Sequence, residues 1–277
     1  MTSLRRSEAA VFMLLVLSMP TLGVAGDDQK WQLEIELSKQ TYLAREPIWL
    51  DAVATNISSD TVRTWGMFPL CDGPFHIEVR DSLGKALPYT GPVFDLYWGD
   101  GFLMGPNEQY YGCYDLVYLF ASSRIHFWFG LIPPGKYSVR AGYRGAVSQE
   151  ISFEIVEPTG QEVEVCQMMV KAFESGAKTS LFREVVERYP KSSVYAETAF
   201  HRLYRGGEFL KRFPNSGYTD ISLRSATREL SREAKHEYLS GMINEYPETR
   251  AAKFAKRMLM MLEKEADKDT TEQGMRE

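Results

Sequence analysis

Glu157-Pro158-Thr159-Gly160 divides the chain into two kinds of sequence. Upstream, apolar and polar residues alternate in short runs separated by turn residues, the pattern of half-buried strands. Downstream, Gly and Pro thin out and apolar residues recur at helical spacing. The expected fold is therefore an all-β unit over residues 28–157 followed by an all-α unit over 161–265, folding as two halves that meet near Pro158.

Working outward from that point, Ser148 to Val156 alternates as the last strand of the β unit. Leu131-Ile132-Pro133-Pro134-Gly135 turns into Lys136-Tyr137-Ser138-Val139, with Tyr137 two residues before a position expected to be buried. Trp31 to Leu37 alternates strictly, and Ile48 to Thr55, Thr61 to Trp65 and Phe75 to Arg80 follow as further strands. Asp81-Ser82-Leu83-Gly84 is a tight turn in which Gly84 supplies a positive φ. Many short strands with turns between them indicate an antiparallel sandwich.

Leu33 to Asn56 resembles the opening strands of bacterial Ig-like domains, including the BsuPI-type proteinase-inhibitor domain, and Ile132 to Ala141 is similar to their penultimate strand. The resemblance implies an Ig-like β-sandwich in which the Tyr137 ring packs and its hydroxyl is tied to nearby backbone. No position matches an inhibitory loop.

Residues 93–130 exceed a minimal sandwich and are dense in aromatics. They read either as core filling and packing against the helices or as a ligand platform, with Tyr97, Trp98 and Phe102 beside the Gly turns as its candidates. Gln109 to Phe120 has the composition of a strand covered on both faces. Asp95, Asp100 and Glu108 do not have the spacing of a dense calcium loop. Asn56-Ile57-Ser58 fits a glycosylation triplet.

In the second half, Tyr189-Pro190, Phe213-Pro214 and Tyr246-Pro247 repeat one punctuation. An aromatic closes a helix, Pro breaks it, and a following Ser or Thr starts the next. The aromatics are 24 and 33 residues apart, against a tetratricopeptide period of ~34. This resembles the degenerate tetratricopeptide-like repeats of periplasmic proteins with Tyr-Pro-x-Ser steps, such as the outer-membrane assembly lipoprotein and the cell-division coordinator beside the Tol–Pal system. The resemblance implies a curved helical array whose concave side holds a peptide or partner; the plainer alternative is a bundle that braces the sandwich. Residues 266–277 are charged and small and read as a frayed tail.

Residues 1–25 have the layout of a signal peptide. Arg5-Arg6 precede the apolar run Val11 to Leu17, Pro20 breaks it, and Gly23-Val24-Ala25 offers a cleavage site. The run is shorter than the ~18–20 residues that span a bilayer. The mature chain is expected to be exported, periplasmic or extracellular, without stable membrane insertion. In that compartment Cys71 and Cys113 form a disulfide or remain two separate thiols, and Cys166 lies on an apolar helical face.

The chain of 277 residues carries a net charge of −5. Ten Lys/Arg stand against 17 Asp/Glu between Gly26 and Thr159, which argues against a nucleic-acid partner. His76, His126, His201 and His236 are scattered, and no Gly-x-Ser-x-Gly, His-Glu-x-x-His or phosphate-binding Gly loop occurs. The sequence therefore predicts no catalytic residues, no cofactor and no metal. It predicts a non-enzymatic interaction protein of the cell envelope, its partner another protein or peptide on the helical concave face. The alternatives are a secreted proteinase inhibitor acting through the Ig-like unit and a carbohydrate-binding protein using the aromatic segment.

Overall fold

A computed structural model describes residues 30–64, 75–91, 102–126, 129–176, 178–190, 194–204 and 206–274. The expected leader, Cys71, Tyr97 and Trp98 lie outside the described residues.

The β region contains β1 (Trp31–Leu37), β2 (Thr41–Leu43), β3 (Trp49–Asn56), β4 (Val62–Thr64), β5 (Phe75–Asp81), β6 (Phe102–Met104) and β7 (Gln109–Asp115). A short helix, α1 (Leu116–Phe120), precedes β8 (Ser123–His126), β9 (Phe129–Leu131), β10 (Gly135–Tyr143), β11 (Ala146–Val147) and β12 (Ile151–Val156). The helical region contains α2 (Gln161–Glu174), α3 (Thr179–Arg188), α4 (Tyr195–Leu203), α5 (Gly207–Arg212), α6 (Thr219–Thr227), α7 (Arg232–Glu245) and α8 (Arg250–Gly274). The change from strand to helix thus falls between Val156 and Gln161, on the Pro-Gly segment that announces it.

One sheet has the order β1-β3-β7, antiparallel throughout. In the other, β10 pairs with β5, β11 and β12, and β2 lies parallel to β12. Period-two patterning sets which side chains go inward. In β1, Trp31, Leu33 and Ile35 are buried while Gln32, Glu34 and Glu36 are exposed. Leu50, Ala52 and Ala54 of β3 join Val79, Val139, Ala141, Phe153 and Ile155 of the second sheet in one apolar core. Tyr137 stacks on Phe153 at 5.6 Å, and its hydroxyl donates to the Pro133 carbonyl at 2.7 Å.

Asn56 is fully buried at the end of β3. Its Nδ2 lies 2.8 Å from the Asp60 carbonyl and 3.0 Å from those of Met104 and Gly105, while its Oδ1 accepts from the Ser58 amide and hydroxyl. The amide that a glycosylation triplet would expose is instead a bracket holding the β4 and β6 turns.

The three aromatic-Pro steps share one geometry. Tyr189, Phe213 and Tyr246 sit directly after α3, α5 and α7 with φ/ψ of −128/50°, −132/61° and −127/54°. Each donates its amide to the carbonyl four residues back, completing the last turn before Pro stops the helix. Ser216 and Thr249 then accept amides of Tyr218 and Ala252 with their hydroxyls. The 24-residue interval is short because α4 has nine residues and α5 six. At the other end, α8 continues through residues 266–274, where the sequence predicts a frayed tail. Extending an existing helix costs far less than nucleating one, which lets a polar segment follow a long packed one.

The two halves do not have separate interiors. Phe129 and Leu43 pack with α2, α3 and α4; Tyr111, Val53 and Cys113 pack with Leu210, Leu239 and Phe254; Trp49 packs with Phe209 and Tyr218. Independent folding of the halves does not fit this arrangement, because severing them would expose both sides of three apolar clusters. Replacing Asn56 by Ala would leave three backbone carbonyls without their donor, and denaturant unfolding should show a loss of about 3 kcal/mol.

Candidate functional site

β3 places successive side chains on opposite faces. Leu50, Ala52 and Ala54 enter the apolar core between the strands, so Trp49, Asp51 and Val53 face the helices. Trp49 lies against the turn between α5 and α6, edge-on to Tyr218 at 4.8 Å. A Cβ added at Gly217 would come within 1.9 Å of its ring. Gly217 is therefore the floor of a socket shaped for an indole.

Asp51 is held by Arg250 from the first turn of α8. Arg250 Nε donates to both Asp51 oxygens at 3.0 Å, and Nη2 donates to Oδ2 at 2.8 Å. Arg250 Nη1 donates to the Asn215 carbonyl at 2.8 Å, and the Tyr111 hydroxyl donates to Asp51 Oδ1 at 2.5 Å. Burial pulls the Arg250 guanidinium down, but hydrogen bonding and charge from Asp51 outweigh it and hold the group above its ordinary value. Burial likewise pushes the Tyr111 hydroxyl up, so it remains a donor.

Further along α8, Phe254 meets the Tyr111 ring edge-on at 4.8 Å. Arg257 donates to the Tyr111 carbonyl and to Asp220, both at 2.8 Å. Lys264 pairs with Glu108 at 2.6 Å. Arg250, Phe254, Arg257 and Lys264 are spaced by four, three and seven residues, so one stripe of α8 runs along β7.

Beside the Trp49 socket is a cleft of about 200 Å³ lined by Ser38, Glu46, Trp49, Glu197, Ser216 and Arg250, among others. Glu46 is buried, accepts the Leu43 amide at 2.8 Å and pairs with Lys39. Burial raises its carboxyl above the ordinary range despite Lys39. Glu197 Oε1 accepts the Ser216 hydroxyl at 2.5 Å, and burial raises this carboxyl too. The cleft is smaller than the ~300–1,000 Å³ of ordinary small-molecule pockets.

A larger, open groove of about 630 Å³ crosses the outer face of the second sheet. Arg80, Lys136, Arg140, Ser138, Ser152 and Glu154 are among the residues lining it. Glu78 anchors two of these cations, at 2.7 Å from Arg80 and 2.6 Å from Arg140. Lys136 and Glu154 face each other across β10 and β12.

Phe102, expected as a platform residue, stacks on Tyr110 at 5.4 Å with the Lys264 ammonium 5.9 Å from its ring. It packs at the join and does not converge with the groove. Tyr110 enters the apolar core of the β region while its neighbour Tyr111 enters the helical cluster, so β7 is covered on both faces. Cys113 is a free thiol, facing α8 among the apolar residues at the join, and Cys166 is a free, buried thiol of α2. The Cys113 side chain lies in the helical cluster, and Cys71, its candidate disulfide partner, is outside the described residues. Glu108 is committed to Lys264, and Asp95 and Asp100 lie outside the described residues. Among the described residues no group of three or more His, Cys, Asp or Glu is placed to hold a metal, and no helix is long and apolar enough to cross a membrane.

Sequence reading missed Trp49, Asp51, Glu46, Glu197 and Arg250. One signal was visible: Asp51 interrupts a run, Ile48 to Ala54, that is otherwise apolar on both faces. An acid there requires a partner brought from elsewhere.

No protein-family model matches the chain, and no curated protein matches it. Among solved structures, the CARDB domain of a Pyrococcus furiosus protein is 11% identical with a TM-score of 0.27, covering 47% of this chain and 96% of that one. The alkylpurine DNA glycosylase AlkC of Pseudomonas fluorescens, bound to DNA with an abasic-site analogue, is 12% identical with a TM-score of 0.28, covering 46% and 30%. A β-glucosidase of Erythrobacter marinus is 13% identical with a TM-score of 0.28, covering 46% and 15%. Likenesses at this level transfer neither activity nor ligand.

Arg250→Met should destabilise the protein by about 3–5 kcal/mol, because it strands a buried carboxylate. Asp51→Leu with Arg250→Met should recover most of that loss. A double-mutant cycle in denaturant measures the coupling directly.

Proposed function

We propose that this chain is a non-enzymatic, exported interaction protein of the cell envelope, binding another protein or peptide by contact. In this reading the two sheets are the layers of an Ig-like sandwich, and the helix pairs are degenerate tetratricopeptide-like units that brace it. The shared apolar core of the sheets and the repeated aromatic-Pro geometry support those assignments.

The observation that carries the proposal is how the polar and apolar groups are distributed. The helix faces burying Leu210, Leu239 and Phe254 are already occupied by Val53, Tyr111 and Cys113. Asp51, Arg250, Arg257, Glu108 and Lys264 are committed to holding the halves together. The groove across β10 and β12 remains open and wide enough to receive a polypeptide segment. Its lining mixes both charge signs with hydroxyls, a chemistry suited to main-chain amides and charged side chains. The partner is accordingly assigned to the sheet groove in preference to the helices.

Lys136→Glu combined with Glu154→Lys keeps the cross-strand pair attractive while reversing the pattern a partner reads. Affinity for a partner captured from envelope extract by the wild-type chain should fall about tenfold. Capture of the same partner with undiminished affinity by a folded variant would remove the groove from the proposal.

A further inference from the structure

The outer face of the second sheet gathers its uncommitted donors in one row. Arg80 of β5, Ser138 of β10 and Ser152 of β12 are direct neighbours across the ladder, and all three line the groove. Val79, Val139 and Phe153, which alternate with them, are buried in the core, so the row faces outward. Among the described residues neither serine hydroxyl has a hydrogen-bond partner. Arg80 donates to Glu78 Oε1 through Nε and Nη2, and Arg140 donates to Glu78 Oε2 through Nε. Arg80 Nη1 and both Nη groups of Arg140 are left without a protein acceptor among the described residues.

Glu78 fixes the two guanidinium groups beside the row. Burial pushes its carboxyl up, but hydrogen bonds from Arg80 and Arg140 outweigh that and hold it below its ordinary value, so it is an anion. Two cations against one carboxylate leave a single positive charge there. The groove itself is preformed. On one side it is bounded by the turn after β5, where Asp81 Oδ1 accepts the Leu83 and Lys85 amides at 2.9 Å and the Gly84 amide donates to the Asp81 carbonyl at 2.9 Å. On the other it is bounded by Gln40 and Thr41 at β2. β5, β10, β12 and β2 lie side by side, three strand spacings or ~14 Å across, which about four residues of extended chain would cover.

We propose that this groove receives an extended acidic segment of a partner polypeptide, with one Asp or Glu carboxylate seated on the donors of Arg80, Arg140, Ser138 and Ser152. The assignment rests on the reading of the groove as the partner's seat and adds what the partner must carry. Fixed guanidinium groups and hydroxyls match the two acceptor oxygens of a carboxylate. One carboxylate also balances the single charge left beside Glu78. A dianionic phosphoryl group would exceed it and would feel more repulsion from Glu150 and Glu154, which line the same groove. Asp81 is committed to its turn and Glu154 faces Lys136, so neither acid occupies the row.

The test pans a random octapeptide display library on the full wild-type chain and then measures the enriched peptides as labelled synthetic ligands. Enriched peptides should share an Asp or Glu. Replacing that acid by its amide, or making Arg80→Gln with Arg140→Gln in the protein, should each weaken binding about tenfold, and both together little more than either alone. Ser138→Ala with Ser152→Ala, which disturbs no ion pair, should weaken it about threefold and keeps the test readable if the arginine variant does not fold. Peptides without an acid that lose binding in Lys136→Glu with Glu154→Lys would overturn the acidic assignment and leave the groove reading standing. Acidic peptides indifferent to the arginine and serine variants would overturn it equally. A library yielding no binder that any groove substitution weakens would remove both.

Discussion

Asp51 and Arg250 stand 199 positions apart in the chain and meet as a buried, doubly hydrogen-bonded pair. Most of the architecture follows from the need to bring them together. A carboxylate on the middle strand of a sheet, facing away from the apolar core of the strands, needs either water or a cation. Here the cation arrives on the first turn of the longest helix, and α8 then continues along β7 with Phe254, Arg257 and Lys264 making contacts in turn. Such a pair contributes little net stability relative to an apolar substitute, because desolvation offsets its attraction. Its effect is on register: a shift of α8 by one residue would strand both charges.

Trp49 and Gly217 form the apolar counterpart of that pair. The indole fills the turn between α5 and α6, and only a residue without a Cβ lets it approach so closely. That turn contains Phe213-Pro214, one of the three repeated steps. The same punctuation that ends a helix therefore also makes the receptacle into which the strands dock. The aromatic-Pro step organises the helices locally and joins them to the sheets globally.

The groove on the second sheet and the cleft at the join differ in size and in openness. The groove on the second sheet is large, open and polar. The cleft at the join is small and is lined by two carboxyls, Glu46 and Glu197, that burial raises above the ordinary range.

Much of the local structure was legible in the chain because it rests on short-range physics. Alternation located β1, β5 and β12; the apolar run Ile48 to Thr55 marked β3; Asp81 to Gly84 marked its turn; the Pro steps marked the ends of α3, α5 and α7. The tie between Tyr137 and Pro133 also followed from a local pattern. The site was not legible. Asp51, Glu46, Glu197 and Arg250 are ordinary charged residues on their own elements, and their meaning depends on which of them face one another. Phe102 and Cys113, each read with two alternatives open, both lie at the strand–helix join. The amino-acid sequence by itself determined where the chain pleats, coils and turns, because propensity, periodicity and the missing amide of proline act within a few residues. Only the tertiary structure decided what would cover the outer faces of β3 and β7, because burial and charge pairing depend on distances between elements that no local pattern encodes.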